Sequence, residues 1–270
     1  MNHPVTTHTL PGPAGRLAVH LCGPAQGTPV LLSHSILAAS MMWTQQAQLL
    51  AERGMRVICM DTRGHGQSDA GPAPYRMDDL VADTVAVLDG LGLAQAHYIG
   101  LSLGGMSGFG LAAQHGQRLL SALLCDCRAD MPSAMGAVWN ERIDLARQQG
   151  CAALARPTIE RWFGAPFVAA NPAVAQAFED TIGRTQVEGF VGCAQAIQGL
   201  DYLGVVDQIR VPTTLLVGAN DGPLPQAMQD LHARMAGSRS VVIAHAGHLP
   251  NIDQPDAFNQ ALHAHFDALA

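Results

Sequence analysis

The stretch that most limits what this chain can become is AHYIGLSLGGMSGFG, residues 96–110. A short β-rich run enters it, a helix-compatible run leaves it, and Ser102 stands between them with Gly100 and Gly104 two residues to either side. The string G-x-S-x-G says little without its context, but here strand, motif and helix follow in order. In a tight strand-to-helix turn the serine backbone is forced to positive φ. The chain then crosses itself so closely that a Cβ two residues before or after the serine would clash. Such a turn lifts a hydroxyl above the carboxyl ends of parallel strands, where open α/β sheets bind ligands.

The rest of the chain supplies the sheet. VTTHTL (5–10) and RLAVHLC (16–22) flank a Pro/Gly turn and predict an antiparallel hairpin. Apolar runs follow at PVLLSH (29–34), MRVICMD (55–61), AHYIGL (96–101), LLSALLCDC (119–127), PTTLLVG (212–218) and RSVVIAH (239–245). Near-continuous runs of this kind suit strands buried on both faces of a parallel sheet. Met77, Leu80, Val81, Val85 and Leu88, and later Phe258, Ala261, Leu262, Phe266 and Leu269, repeat with the helical period. The alternation predicts an α/β fold, a mostly parallel eight-stranded sheet with helices on both faces. It breaks between about Met131 and Leu203, where Trp139, Trp162 and the breakers Pro157, Pro166 and Pro172 predict an inserted helical lid. The chain thus divides into a core part at 1–128, a lid at 129–203 and a second core part at 204–270.

Composition removes several function classes. The net charge is −7 and all fifteen basic residues are scattered arginines, so no stripe offers itself to nucleic acid. No run approaches the roughly 20 apolar residues of a membrane span. The start, MNHPVTTHTLPGPAG, has neither a basic nor an apolar leader region, so a cytoplasmic protein is expected. Cys22, Cys59, Cys125, Cys127, Cys151 and Cys193 form no CxxC pair and are expected to be reduced and buried. The pairs His245/His248 and His263/His265 lack further ligands at zinc spacing, so no metal is expected. The expected partner is a small-molecule substrate, with self-association as a homodimer left open.

A serine of ordinary pKa needs a base before it can attack. AHAGHLPNIDQP (244–255) offers His245 at a strand end and His248 in the loop between Gly247 and Pro250, the position suited to reach across the sheet top. The base needs a carboxylate to fix its tautomer. Asp221, in LLVGANDGPLP, and Asp126, in LLCDCRAD, both stand at strand ends. The order Ser102, Asp221, His248 fits the hydrolase arrangement, and Asp126 stays as the alternative acid. The Leu103 amide opens the following helix and can stabilise an oxyanion. The Ile36 amide, in LSHSILAASMMW (32–43), is expected to join it, on a loop that His34 braces.

With these residues in view, DTRGHGQSD (61–69), GLSLGG (100–105), GANDGPLP (218–225) and AGHLPNIDQPDAFNQAL (246–262) resemble the α/β-hydrolase superfamily. VWNERIDLARQQG (138–150) and IERWFGAPF (159–167) narrow the likeness to the 3-oxoadipate enol-lactonases. The resemblance implies a Ser–His–Asp mechanism without cofactor, with Ser102 as nucleophile, Asp221 as acid, His248 as base, and Ile36 and Leu103 as oxyanion donors. It implies that a small lactone is opened, or a related ester cleaved, through an acyl-enzyme in aromatic catabolism. An enol-lactone of that type carries a carboxylate, for which Arg128, Arg142 or Arg161 could provide the cation, with Trp139 and Trp162 as further substrate-binding candidates. Two segments depart from the family: SHSILAAS, where an Asn-Ser-Leu-Gly-like stretch is usual, and CDCRAD, where uncharged residues are common. A C–C bond hydrolase of ring-cleavage products and a ligand receptor on a hydrolase scaffold are the competing readings.

Overall fold

Eight strands form one sheet in the computed structural model, which describes residues 3–269. β1 (Thr6–Gly12) and β2 (Gly15–Cys22) make the expected hairpin, with Gly12 opposite Gly15. β3 (Pro29–Ser33), β4 (Arg56–Met60), β5 (Ala96–Leu101), β6 (Leu119–Cys125), β7 (Thr213–Gly218) and β8 (Arg239–Ile243) follow. Their order across the sheet is β1-β2-β4-β3-β5-β6-β7-β8, and every pairing from β4 to β8 is parallel. The chain builds outward from β3 to β4 and then returns to place β5 on β3's other side. The carboxyl ends of β3 and β5 therefore flank the switch point where such sheets open a crevice.

Burial follows position in the sheet. β7 is buried throughout, and β3, β4 and β6 very nearly so. The expectation of burial on both faces fails at one strand. β8 buries only Ile243 despite its apolar sequence, while the hairpin strand β1 at the other edge is largely exposed. An edge strand has one neighbour, and the helical cover thins out beside it.

Between β6 and β7 the chain leaves the sheet for helices at Gly136–Gln149, Ala155–Phe163, Ala165–Ala170, Pro172–Arg184 and Val187–Gln198. Pro157, Pro166 and Pro172 sit in first turns, where a missing amide costs nothing, so they start helices instead of breaking them. The segment has an aromatic centre of its own. Trp162 meets Phe178 edge-on at 5.8 Å, and Phe163 packs against Phe178 at 5.4 Å. All six cysteines are free and buried. Among the described residues no helix is long and apolar enough to cross a membrane.

Candidate active site

Ser102 joins β5 to the helix Leu103–Gln114 with φ 55° and ψ −111°, a strained conformation for a residue with a side chain. The two flanking glycines permit it in different ways. A Cβ on Gly100 would lie 2.3 Å from the carbonyl oxygen of Gly104, so Gly100 lets the turn close on itself. A Cβ on Gly104 would lie 2.4 Å from the carbonyl oxygen of Ser33, so Gly104 lets the helix begin against the end of β3.

The loop after β8 brings His248 to the same place. The carbonyl of Gly247 lies so close to Gly218 that a Cβ there would come within 2.0 Å of its oxygen. Asp253 Oδ2 accepts the Gly247 amide at 2.6 Å, and the Trp162 carbonyl accepts the His248 amide at 2.8 Å. His248 Nδ1 meets Asp221 Oδ2 at 2.6 Å, both side chains buried. With Nδ1–H donating to the carboxylate, Nε2 is left as the free acceptor, and it has no protein partner. Burial raises the Asp221 pKa, but the charge and hydrogen bond of His248, with Arg161 beyond, hold it below the usual carboxylate range. The rival imidazole, His245, is exposed at φ 64°.

Ser102, His248 and Asp221 line one cavity of about 150 Å³, together with Ile36. No hydrogen bond joins Ser102 to His248 in this structure, as is common before substrate binds. The amides of Ile36 and Leu103 have no protein acceptor among the described residues. The neighbouring amide is taken: Leu37, at φ 64°, donates to His65 Nε2 at 3.0 Å. His34 accepts the Thr62 amide on Nε2 and donates from Nδ1 to the Ser35 carbonyl. Burial keeps both histidines neutral, with the pKa of His65 pushed down to about 3.

A model of the α/β-hydrolase fold matches residues 28–255. The chain belongs to the α/β-hydrolase family. It is 30% identical to 3-oxoadipate enol-lactonase 2 of Acinetobacter baylyi over 242 residues, 90% of each chain. Its structure superposes on the enol-lactonase from Burkholderia xenovorans LB400 with a TM-score of 0.92 at 31% identity, covering 96% of this chain and 100% of the other. A thermophilic esterase from Thermogutta terrifontis matches with a TM-score of 0.88 at 27% identity, over 98% and 99% of the two chains. The protein is a hydrolase.

This α/β-hydrolase separates the pocket residues that its sequence left grouped. Arg128 lines the cavity but is tied to Asp130, at 2.9 Å to Oδ1. Arg142 donates to Thr158 Oγ1 at 3.0 Å and lies over the Trp139 ring at 5.3 Å, both residues on the cavity wall. Burial, then the charge of Arg161, bring the Arg142 pKa down to about 10. Arg161 is solvent-accessible, lines the cavity and makes no ion pair or hydrogen bond among the described residues. Trp162 does not line the cavity. It is fully buried behind His248, its ring 24° from parallel with the imidazole at 6.4 Å, because its neighbours Phe163 and Phe178 draw it into the aromatic centre.

Asp126 is also within the site, fully buried at φ 47°. Its Oδ1 accepts the Gly218 amide at 2.8 Å, and atoms of Asp126, Asp221 and His248 lie within 4.8 Å of one another. That trio is the one group of potential metal ligands among the described residues, and two of its members are already bonded to each other. Sequence reasoning missed His65 and Asp253, and also lining residues such as Met106 and Ile197. The signals for the first two were present in RGHG and HLPNID, but each acts on a backbone amide, which no side-chain pattern reveals.

Proposed function

We propose that the protein hydrolyses a small lactone or related carboxylic ester through an acyl-enzyme on Ser102. The observation that carries this reading is the 2.6 Å His248–Asp221 contact, behind an imidazole whose unpartnered Nε2 shares a cavity with Ser102. His248 Nε2 takes the Ser102 proton as Oγ forms its bond to the substrate carbonyl carbon. The oxyanion that results is held by the amides of Ile36 and Leu103, each supplying on the order of 3 kcal/mol. The C–O bond to the leaving oxygen then breaks, and that oxygen takes the proton from His248; in a lactone it stays tethered to the acyl group. Water, losing a proton to His248, attacks the acyl carbon; the C–Oγ bond then breaks, Ser102 Oγ takes that proton back from His248, and the acid is freed.

Two features support a small, anionic substrate. A cavity of about 150 Å³ is of the size that takes up a benzene-like ring. Arg161 stands at its wall with no ion pair or hydrogen bond among the described residues, in a position to bind a carboxylate. The enol-lactonases among the relatives favour an enol-lactone of the 3-oxoadipate type.

The test is labelling by a fluorophosphonate probe, with turnover of an enol-lactone, a p-nitrophenyl ester and a vinylogous diketone. Wild type is expected to be labelled and to turn over the lactone best, and Ser102→Ala to do neither. Preference for the diketone would move the enzyme to C–C bond cleavage. A tightly held ligand without multiple turnover would make it a receptor.

A further inference from the structure

The carboxyl of Asp126 is a group that the proposed reaction leaves unused. It sits at the end of β6, whose neighbour β7 ends at Gly218 and leads directly to Asp221. Oδ1 accepts the Gly218 amide, whereas Oδ2 is buried and faces no protein donor. An ionised carboxylate with one oxygen so deprived is costly in a protein interior. The group beside it is itself an acid, since Asp221 and His248 lie within 4.8 Å. Two carboxylates at such spacing do not both ionise, and one proton between them turns repulsion into a hydrogen bond.

The surroundings decide which acid keeps the proton. Asp221 faces the His248 imidazole at 2.6 Å and the charge of Arg161. Asp126 faces Asp221, the further carboxyl of Asp253 and the thiols of Cys125 and Cys127, which burial holds neutral. His248 also lies within 4.8 Å, but its Nδ1 bonds to Asp221 and not to Asp126. Burial first, and then the charge of Asp221, push the Asp126 pKa well above the usual carboxylate range.

We propose that Asp126 is a protonated carboxylic acid that donates a hydrogen bond from Oδ2 to the Asp221 carboxylate, and so positions the acid that orients His248. The inference rests on the reading of Asp221 and His248 as acid and base. Asp126 touches no reacting atom and is a positioning residue.

Infrared difference spectroscopy of the whole protein at neutral pH tests the proton directly. The carbonyl stretch of a protonated carboxylic acid is expected in wild type and in Ser102→Ala, and is expected to be lost in Asp126→Asn. Its absence from wild type overturns the proposal. This readout stands even if no ester or lactone is hydrolysed, an outcome that would sink the proposed function alone.

Kinetics test the role. In Asp126→Asn the amide still accepts from Gly218 and donates to Asp221, so kcat should stay within about threefold. The acid limb of kcat/KM should stay within about 0.3 pH unit, because no charge has been removed. A fall of that limb by a unit or more would show that Asp126 is ionised. Asp126→Ala, which removes the donor, should lower kcat on the order of ten- to a hundredfold with KM nearly unchanged. Full activity in Asp126→Ala would remove the positioning role, and if that variant does not fold, the spectrum and Asp126→Asn decide.

Discussion

The carbonyl of Trp162 accepts the amide of His248 at 2.8 Å, while the indole of the same residue lies over the imidazole at 6.4 Å. A residue of the helical segment between β6 and β7 thus holds both the backbone and the ring plane of the proposed base. Trp162→Phe keeps the carbonyl and much of the aromatic centre but removes part of the ring contact. It should lower kcat severalfold with little change in KM, as expected when a reacting group loses orientation. Trp162→Ala would add a cavity worth about 3–5 kcal/mol of stability. Steady-state kinetics beside thermal melting separate the two effects.

The proposed acid is tested within the same loop system. Asp221→Asn, which spoils the His248 tautomer, should reduce kcat on the order of 10⁴-fold. His245→Gln, at an exposed position, should leave kcat within twofold. Comparable losses in the two variants would mean that the wrong imidazole has been assigned.

Arg161 lines the cavity and makes no ion pair or hydrogen bond among the described residues. Arg161→Gln should raise KM for a carboxylate-bearing lactone by about ten- to a hundredfold, the worth of a charged hydrogen bond. A neutral ester of similar size should be affected less than threefold. Equal losses on both substrates would assign Arg161 to the field around Asp221 instead of to the substrate.

The glycines around Ser102 should tolerate nothing larger. Gly100→Ala and Gly104→Ala each drive a Cβ into main-chain atoms that cannot rotate away. Each should cost more than about 3 kcal/mol, a fall of roughly 6–12 °C in Tm for a chain of this size. Gly136→Ala, with nothing within 4 Å, is the control and should be neutral or slightly stabilising. Calorimetry checks all three.

Stability should depend on pH in two opposing ways. Burial lowers the pKa values of His65, His97 and His265 to about 3, 4 and 4, against roughly 6.5 in an unfolded chain. Across that window the unfolded chain binds more protons, so their contribution is present above about pH 6.5 and is lost as pH falls toward 4. Asp253, lifted to about 6 chiefly by burial, has the opposite sign. Its contribution is present below about pH 4 and is lost as pH rises through 6. His265, bonded to Ser121 Oγ and Thr214 Oγ1, gives the cleaner variant. In His265→Gln the Tm should fall less steeply between pH 6.5 and 4 than in wild type. In Asp253→Asn the Tm should rise relative to wild type from pH 4 to 7.

What could be read from the chain was whatever neighbours in sequence dictate. The eight strands, the bend at Ser102 with its two glycines, and the loop bearing His248 all follow from short-range sterics and periodicity, and the structure forms each of them. The exposed faces of β8 were not readable, because apolar pattern does not say which strands become edges. The prolines near Trp162 were legible as punctuation but not as helix starts, a distinction that depends on the turn that follows.

Three decisions belonged to the tertiary structure. Asp126 and Asp221 look alike in sequence, each an acid just past a strand, and only the side-by-side pairing of β6 and β7 brings both to His248 and leaves one oxygen of Asp126 without a donor. Arg128, Arg142 and Arg161 are equivalent as letters until folding gives the first two partners and withholds one from the third. Trp162 is kept off the cavity wall because Phe163 and the more distant Phe178 pack against it. Local sequence determined the backbone of the site, since steric rules act over a few residues. The protonation, pairing and facing of its side chains depend on neighbours that only the assembled sheet and its helical cover supply.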